Sequence, residues 1–150
     1  GYYKSEEEDK FVFSPDGFFC TGDIGKFDQQ GNIIITGRKK DIIRRGAESI
    51  SASEVEALVV RHPNVLRAAA VGMPDPRLGE RVCVYVQTVP GKGVSLEEIV
   101  SYLKAQGASV MFLPERVEVV EALPLTAMDK VDKKILRQDI AEKLEAESKV

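Results

Sequence analysis

The chain has 150 residues, near the commonest size for one domain and long enough to bury a single core. Hydrophobic residues make up 43% and charged residues 30%, and 21 basic against 24 acidic side chains leave a net charge of -3. That balance gives no basic footprint for nucleic acid or an anionic membrane surface, and apolar runs such as "AAAVGM" are far too short to span a bilayer.

The N-terminus opens "GYYKSEEEDK", with no apolar signal-peptide core, and its acidic run reads as a solvated turn or helix start. "FSPDGFFCTGD" carries Pro-Asp-Gly, in which proline presets φ and glycine takes φ > 0. "GKFDQQGNIIITGR" reads as a hairpin, with Lys26 to Asp28 and Asn32 to Thr36 flanking a glycine-containing turn. Residues 1–37 are too few strands and turns to bury a core alone, so they read as the tail of something larger and the chain as a fragment. The initial glycine in place of methionine agrees with that.

No amphipathic helix is predicted before about residue 52. "SEVEALVVRHP" then places Val55, Leu58 and Val59 on one helical face, with Ser53 as N-cap and Pro63 as the stop. "VLRAAAVGMP" and "RVCVYVQTV" read as strands around the "DPRLGE" loop. "SLEEIVSYLKAQG" reads as a helix, with Ser95 and Glu98 as capping box and Gly107 at the stop. "ERVEVVEAL" is a short strand, and a last helix runs from Asp132 to about Ser148 with Ile135, Leu136, Ile140 and Leu144 inward. The fold class is therefore α+β: a small domain with a short central β-sheet and flanking helices, preceded by a β-rich piece.

Cys20 and Cys83 lie far apart without metal-ligand spacing and read as unpaired, which suits a reducing, cytoplasmic compartment. The lone His62 reads as a polar helix-end residue, so the sequence predicts no metal site. "PGKG" at 90–93 lacks the phosphate-loop pattern.

Three segments carry possible chemistry. In "TGD", Asp23 offers a carboxylate that can accept two hydrogen bonds from adjacent sugar hydroxyls, although a Gly-Asp turn is more often structural. "GRKKDIIRRGAESISASEVE" gathers five basic residues around Gly46. There Arg38 has a planar fork suited to phosphate or ribose oxygens, and Gly46 permits close backbone approach, yet chemistry alone favours a solvated basic loop. "LPLTAMDKVDKK" by itself reads as an exposed cap with solvated lysines.

In combination, TGD, then "GRKKDII", then "G-x-x-I-x-x-x-E-V-E", then "LP-x-T-x-x-x-K-V", in this order, resembles the acyl-adenylate-forming superfamily. That superfamily includes acyl-CoA synthetases, aryl-acid-AMP ligases and luciferases. The resemblance covers essentially the whole chain, including "HPNVLRAAAVGMPDPRLGERVCVYV". It implies that residues 1–37 end a large N-terminal AMP-binding domain, with a hinge at their end, and that residues 38–150 are the small C-terminal domain.

The resemblance also implies roles. Asp23 would bind the ribose hydroxyls of ATP and AMP, with Arg38 assisting near ribose and phosphate. Lys40 would be the hinge about which the small domain turns. Gly46 with Ala47 and Glu48 would line the pantetheine channel, and Lys130 would bridge carboxylate and α-phosphate during adenylation. Magnesium and the main ATP grip would belong to the N-terminal domain, with a carboxylic acid and CoA as further substrates. The implied activity is an ATP-dependent carboxylate-CoA ligase acting through acyl-AMP. The alternatives are an aryl-acid-AMP ligase loading a carrier protein's pantetheine, or a weakened lid and docking module.

Three residues depart from the family pattern. Asp129 stands where glycine precedes the lysine, Ala47 replaces the second glycine of a Gly-Gly pair, and Cys20 replaces an arginine before TGD. If the glycine before the lysine uses φ > 0, aspartate tolerates that conformation at some cost, and its carboxylate would partly offset the charge of Lys130.

Overall fold

The computed structural model describes residues 11–149, so the acidic N-terminal run lies outside the described residues. The chain falls into two compact units, residues 1–40 and 41–150.

In the first unit, Pro15 and Asp16 form the expected turn: Gly17 N donates to Ser14 O at 2.9 Å and Gly17 takes φ +83°. The turn brings Phe13 opposite Phe19 in an isolated bridge. Strands β1 (Asp23–Phe27) and β2 (Ile33–Arg38) pair antiparallel. The hairpin thus extends beyond the predicted segments on both strands. Its turn is organised by Asp28, whose carboxylate accepts from Gln30 N, Asn32 N and Asn32 Nδ2 at 2.8–2.9 Å. Those bonds hold the Asp28 carboxyl below the usual range, those from Asn32 contributing most. None of the described residues of this unit is a buried hydrophobic, and Ile33, Ile34 and Ile35 are all exposed.

The second unit is built on a five-stranded sheet in the order β4-β3-β6-β5, with β7 also pairing β6. Its strands are β3 (Ile42–Arg45), β4 (Glu48–Ser51), β5 (Val65–Asp75), β6 (Gly79–Thr88) and β7 (Arg116–Val119). One edge of β6 is shared: Gly79 pairs with Arg45 of β3, and Cys83 to Val86 run parallel to β7. Alternation along β6 sorts the core. Val82, Val84 and Val86 face one way, against helices α1 (Ala52–Val59) and α2 (Leu96–Ala105) through Val55, Val59, Ile99 and Leu103. Cys83 and Tyr85 face the other way, against α3 (Lys133–Glu147) through Leu136 and Ile140. A strand with helices on both faces needs apolar residues at every position, and β6 has them.

Most predicted elements of this unit form. Helix α2 carries the capping box in full: Glu98 N donates to Ser95 Oγ and Ser95 N to Glu98 Oε2. Four local readings change. The N-cap of α1 is Ser51, not Ser53, because β4 runs straight into the helix and Ala52 is buried. Ile135 is half exposed, since α3 presents a narrow single file of Leu136, Ile140 and Leu144. His62 is buried, edge-on to Tyr102 at 5.0 Å between ring centroids. The basic segment after residue 41 is not a solvated loop but the β3–β4 hairpin, with Ile43 and Ile50 paired and buried.

Candidate functional site

The first cluster sits on β1 and β2. Their register sets Asp23 opposite Arg38, and Arg38 Nε donates to Asp23 Oδ1 at 2.8 Å. Asp23 is oriented further by its own turn: its N–H donates to Thr21 Oγ1, and the preceding Gly22 takes φ +73°. The Arg38 guanidinium holds the Asp23 carboxyl below its usual range against a smaller desolvation effect. The result is an exposed carboxylate beside a planar cation, a pair able to receive a vicinal diol and a neighbouring anionic oxygen. Lys40 is the last residue of this unit and is exposed.

The second cluster is the tip of the β3–β4 hairpin. Arg45 pairs with Glu48, leaving Gly46 and Ala47 as a two-residue loop. Gly46 has φ +60° and Ala47 does not have positive φ, the signature of a II′ turn with glycine first. Ala47 is therefore free of backbone strain. Gly46 N donates to Leu78 O at 2.7 Å, tying the tip to the β5–β6 loop. Glu48 is half exposed and spends an oxygen on Arg45. Arg45 itself is structural: its 13%-exposed side chain also binds Glu115 at 2.8 Å and the Met111 carbonyl.

Lys130 belongs to a third element, a tight hairpin leading into α3. Leu125 bridges Val131, Thr126 N donates to Lys130 O at 2.7 Å, and Asp129 N donates to Thr126 O at 3.0 Å. Asp129 has φ +58°, so the loop of Ala127, Met128 and Asp129 is a type I turn closed by a left-handed residue. Asp129 thus occupies a position that favours glycine. The Lys130 side chain is exposed, and its ammonium makes no hydrogen bond or ion pair to any described residue. Asp129 forms no ion pair with it.

The structure therefore joins Asp23 to Arg38 and gathers Gly46, Ala47 and Glu48 in one turn, with Lys130 on a separate hairpin. Among the described residues no three His, Cys, Asp or Glu side chains gather to hold a metal ion. Among the described residues no helix is long and apolar enough to cross a membrane.

Comparison with known proteins decides the family: the profile of the AMP-binding enzyme C-terminal domain matches residues 54–130. The chain belongs to this AMP-binding C-terminal family. Salicylyl-CoA synthase / salicylate adenylyltransferase of a Streptomyces species is 46% identical over 97% of the chain and 26% of that protein. The 2,3-dihydroxybenzoate-AMP ligase of Bacillus subtilis (strain 168) is 45% identical over 96% of the chain and 26% of that protein. The crystal structure of ATP-bound MatB from Rhodopseudomonas palustris superposes with a TM-score of 0.83 at 33% identity, covering 93% of this chain and 27% of that one. The AMP-binding C-terminal chain thus spans about a quarter of the length of the curated relatives it matches.

Within this AMP-binding C-terminal chain, Lys130 is the final residue of the profile match, while Asp23, Arg38, Lys40, Gly46, Ala47 and Glu48 precede its start. Sequence reasoning missed two ion pairs that bear on the site. Lys133, read as solvated, is only 16% exposed and pairs with Glu56 at 2.7 Å. Arg137, one turn later, pairs with Asp41 at 2.8 Å. The signal for the first was the placement of two lysines in the opening turn of α3, where the helix dipole disfavours cations.

Proposed function

We propose that this chain is the lid portion of an ATP-dependent, AMP-forming carboxylate-CoA ligase. In the first half-reaction a carboxylate oxygen of the acid attacks the α-phosphorus of ATP, and pyrophosphate leaves with the bond electrons. In the second, the CoA thiolate attacks the acyl carbonyl and AMP departs.

The observation that carries the reading is Lys130: an unpaired ammonium on a hairpin locked by backbone bonds of 2.7 and 3.0 Å. Bringing a carboxylate to a polyphosphate concentrates negative charge on the α-phosphoryl oxygens. A cation held in place and not already neutralised is what that transition state requires. Asp23, kept ionised by Arg38, takes the ribose hydroxyls, and Arg38 reaches the nearby phosphate oxygens. Gly46, Ala47 and Glu48 form a wall of the pantetheine channel, and Lys40 serves as the hinge with the larger N-terminal domain. The magnesium ion such chemistry uses finds no cluster of three His, Cys, Asp or Glu side chains among the described residues, so the charges this chain offers the phosphates are those of Lys130 and Arg38.

Similarity to 2,3-dihydroxybenzoate-AMP ligase favours a second reading, in which the acid is aromatic; the acceptor in that reading is the pantetheine of a carrier protein. The discriminating experiment supplies the full-length protein with ATP and a panel of fatty and aryl acids, then CoA or a pantetheinylated carrier. CoA thioester formation supports the ligase, and carrier loading without it replaces that reading with the second. In the same protein Lys130→Ala should lower acid-dependent pyrophosphate exchange by about 10²- to 10³-fold, the scale for removing one electrostatic donor. Exchange unchanged by Lys130→Ala would remove the lysine from the mechanism.

A further inference from the structure

We propose that Glu56 is a positioning residue for Lys130, acting through its ion pair with Lys133. The proposal rests on Lys130 being the adenylation lysine.

Four observations converge on it. First, one carboxylate oxygen ties three elements together. Oε1 of Glu56 on α1 accepts from Ala70 N of β5 at 2.8 Å and meets Lys133 Nζ at 2.7 Å. Strand β5 lies at the edge of the sheet, so that N–H would otherwise have no strand partner. Second, the pair is largely withdrawn from water, the two side chains being 24% and 16% exposed, which makes it far less screened than a surface pair. Third, Lys133 opens α3 in a first turn containing no acidic residue. A cation there runs against the helix dipole, and Asp132, as N-cap, compensates only locally by accepting from Lys134 N at 3.0 Å. A residue that breaks a local rule is expected to serve something else, and here that is the bond to Glu56.

Fourth, the pair lies at the foot of the Lys130 hairpin. Val131 closes the hairpin against Leu125, Asp132 N donates to Pro124 O at 2.8 Å, and Lys133 follows directly. The short bonds within the hairpin fix its shape but leave its tilt on the domain undetermined. Leu123 and Leu136, buried on one face of the sheet, hold the two ends of the segment by apolar contact. The Glu56–Lys133 pair adds the directional tie, to a helix on the opposite face. Misplacing a catalytic group by about 1 Å typically costs up to about 10²-fold in rate.

The test uses the full-length enzyme and two readouts. Glu56→Gln and Lys133→Met should each lower the turnover of pyrophosphate exchange by about 10- to 100-fold with KM for ATP and acid unchanged. Thioester formation from supplied acyl-adenylate should be unaffected, and Lys133→Arg should retain most exchange activity. Deuterium uptake across residues 124–133 should rise in Glu56→Gln and Lys133→Met but not in Lys133→Arg. Unchanged uptake in Glu56→Gln overturns the positioning role. An equal loss in both half-reactions overturns it too, because it would mark a merely structural tie. A parallel Lys130→Ala variant with full exchange activity overturns the lysine assignment instead, and the uptake result then still decides whether Glu56 orders the hairpin.

Discussion

Replacing Asp129 by glycine should stabilise this domain while removing a charge beside the candidate catalytic lysine. Asp129 is the only described non-glycine residue with positive φ, at +58°. The left-handed region costs an L-residue about 1–2 kcal/mol, and aspartate escapes part of this when its side chain bonds locally. The Asp129 carboxylate makes no such bond to any described residue, so it pays about 1–2 kcal/mol. Glycine enters the same conformation freely but loses roughly 0.4–1 kcal/mol through its more disordered unfolded chain. The difference leaves Asp129→Gly more stable by up to about 1.5 kcal/mol. For a chain of this length that corresponds to a Tm increase of up to roughly 6 °C.

Asp129→Asn keeps the tolerance for positive φ and removes the charge, whereas Asp129→Val adds a branched carbon that the region excludes and should lower stability by about 1 kcal/mol or more. Urea denaturation with an unchanged m-value measures all three. Glycine no more stable than aspartate, together with valine no less stable, would refute the strained-turn argument. The same series separates backbone from charge in catalysis. A gain in pyrophosphate exchange shared by glycine and asparagine belongs to the lost carboxylate, while a gain confined to glycine belongs to hairpin geometry.

Burial pushes the Cys83 thiol up to about 12, aided by the nearby Glu118 charge, whereas Cys20 is exposed. A disulfide-exchange reagent at pH 8 should therefore titrate one thiol in the native chain and both in denaturant, and rapid labelling of Cys83 in the native state would contradict the packing against α3. Burial of Glu118 works against its charge, but hydrogen bonds from Lys143 at 2.7 Å and Arg116 at 2.6 Å outweigh it and hold the folded pKa below 4.5. Its stabilising contribution is thus fully present above about pH 4.5 and is lost as pH falls through the depressed folded value. Glu118→Gln should flatten the acid limb of a Tm-against-pH profile, and an unchanged limb would show that the network carries no linkage.

How far the fold was legible depended on whether a pattern was local. Helix α2 announced itself because Ser95, Glu98 and its apolar face lie within one short segment. The β5–β6 pair was legible because nearly every position is apolar, as a strand covered on both faces requires. The β3–β4 hairpin was missed because Arg44, Arg45 and Glu48 drew attention as charges, while the strand signal was only Ile43 opposite Ile50. The role of Arg45 depends on Glu115, far along the sequence, and no local rule finds that partner. Lys133 failed in the same way, because its carboxylate comes from α1. Of the candidate site, the hairpin was legible but the Asp23–Arg38 pairing was not, because a bulge between Ile24 and Gly25 shifts the register by one and no local pattern marks it. The positive φ at Asp129 was anticipated only as the conformation that glycine uses at that position of the family motif.

The fold also sorts the cations around the candidate lysine by what they already bind, and that sorting is consistent with the proposed role of Lys130. In the segment around the candidate lysine, Lys133 is committed to Glu56 and Arg137 to Asp41, both pulled partly out of water. Arg45 is enclosed by Glu48, Glu115 and a carbonyl, so its charge is spent on joining strands. Lys130 combines an ammonium that has no partner among the described residues with a backbone held by a closed hairpin, and a left-handed aspartate stands beside it. A solubilising lysine needs no such scaffold, because any exposed helix position serves, as Lys134 illustrates. Accepting backbone strain to present an unneutralised cation on a preorganised turn makes physical sense where that cation must meet charge that develops only during a reaction.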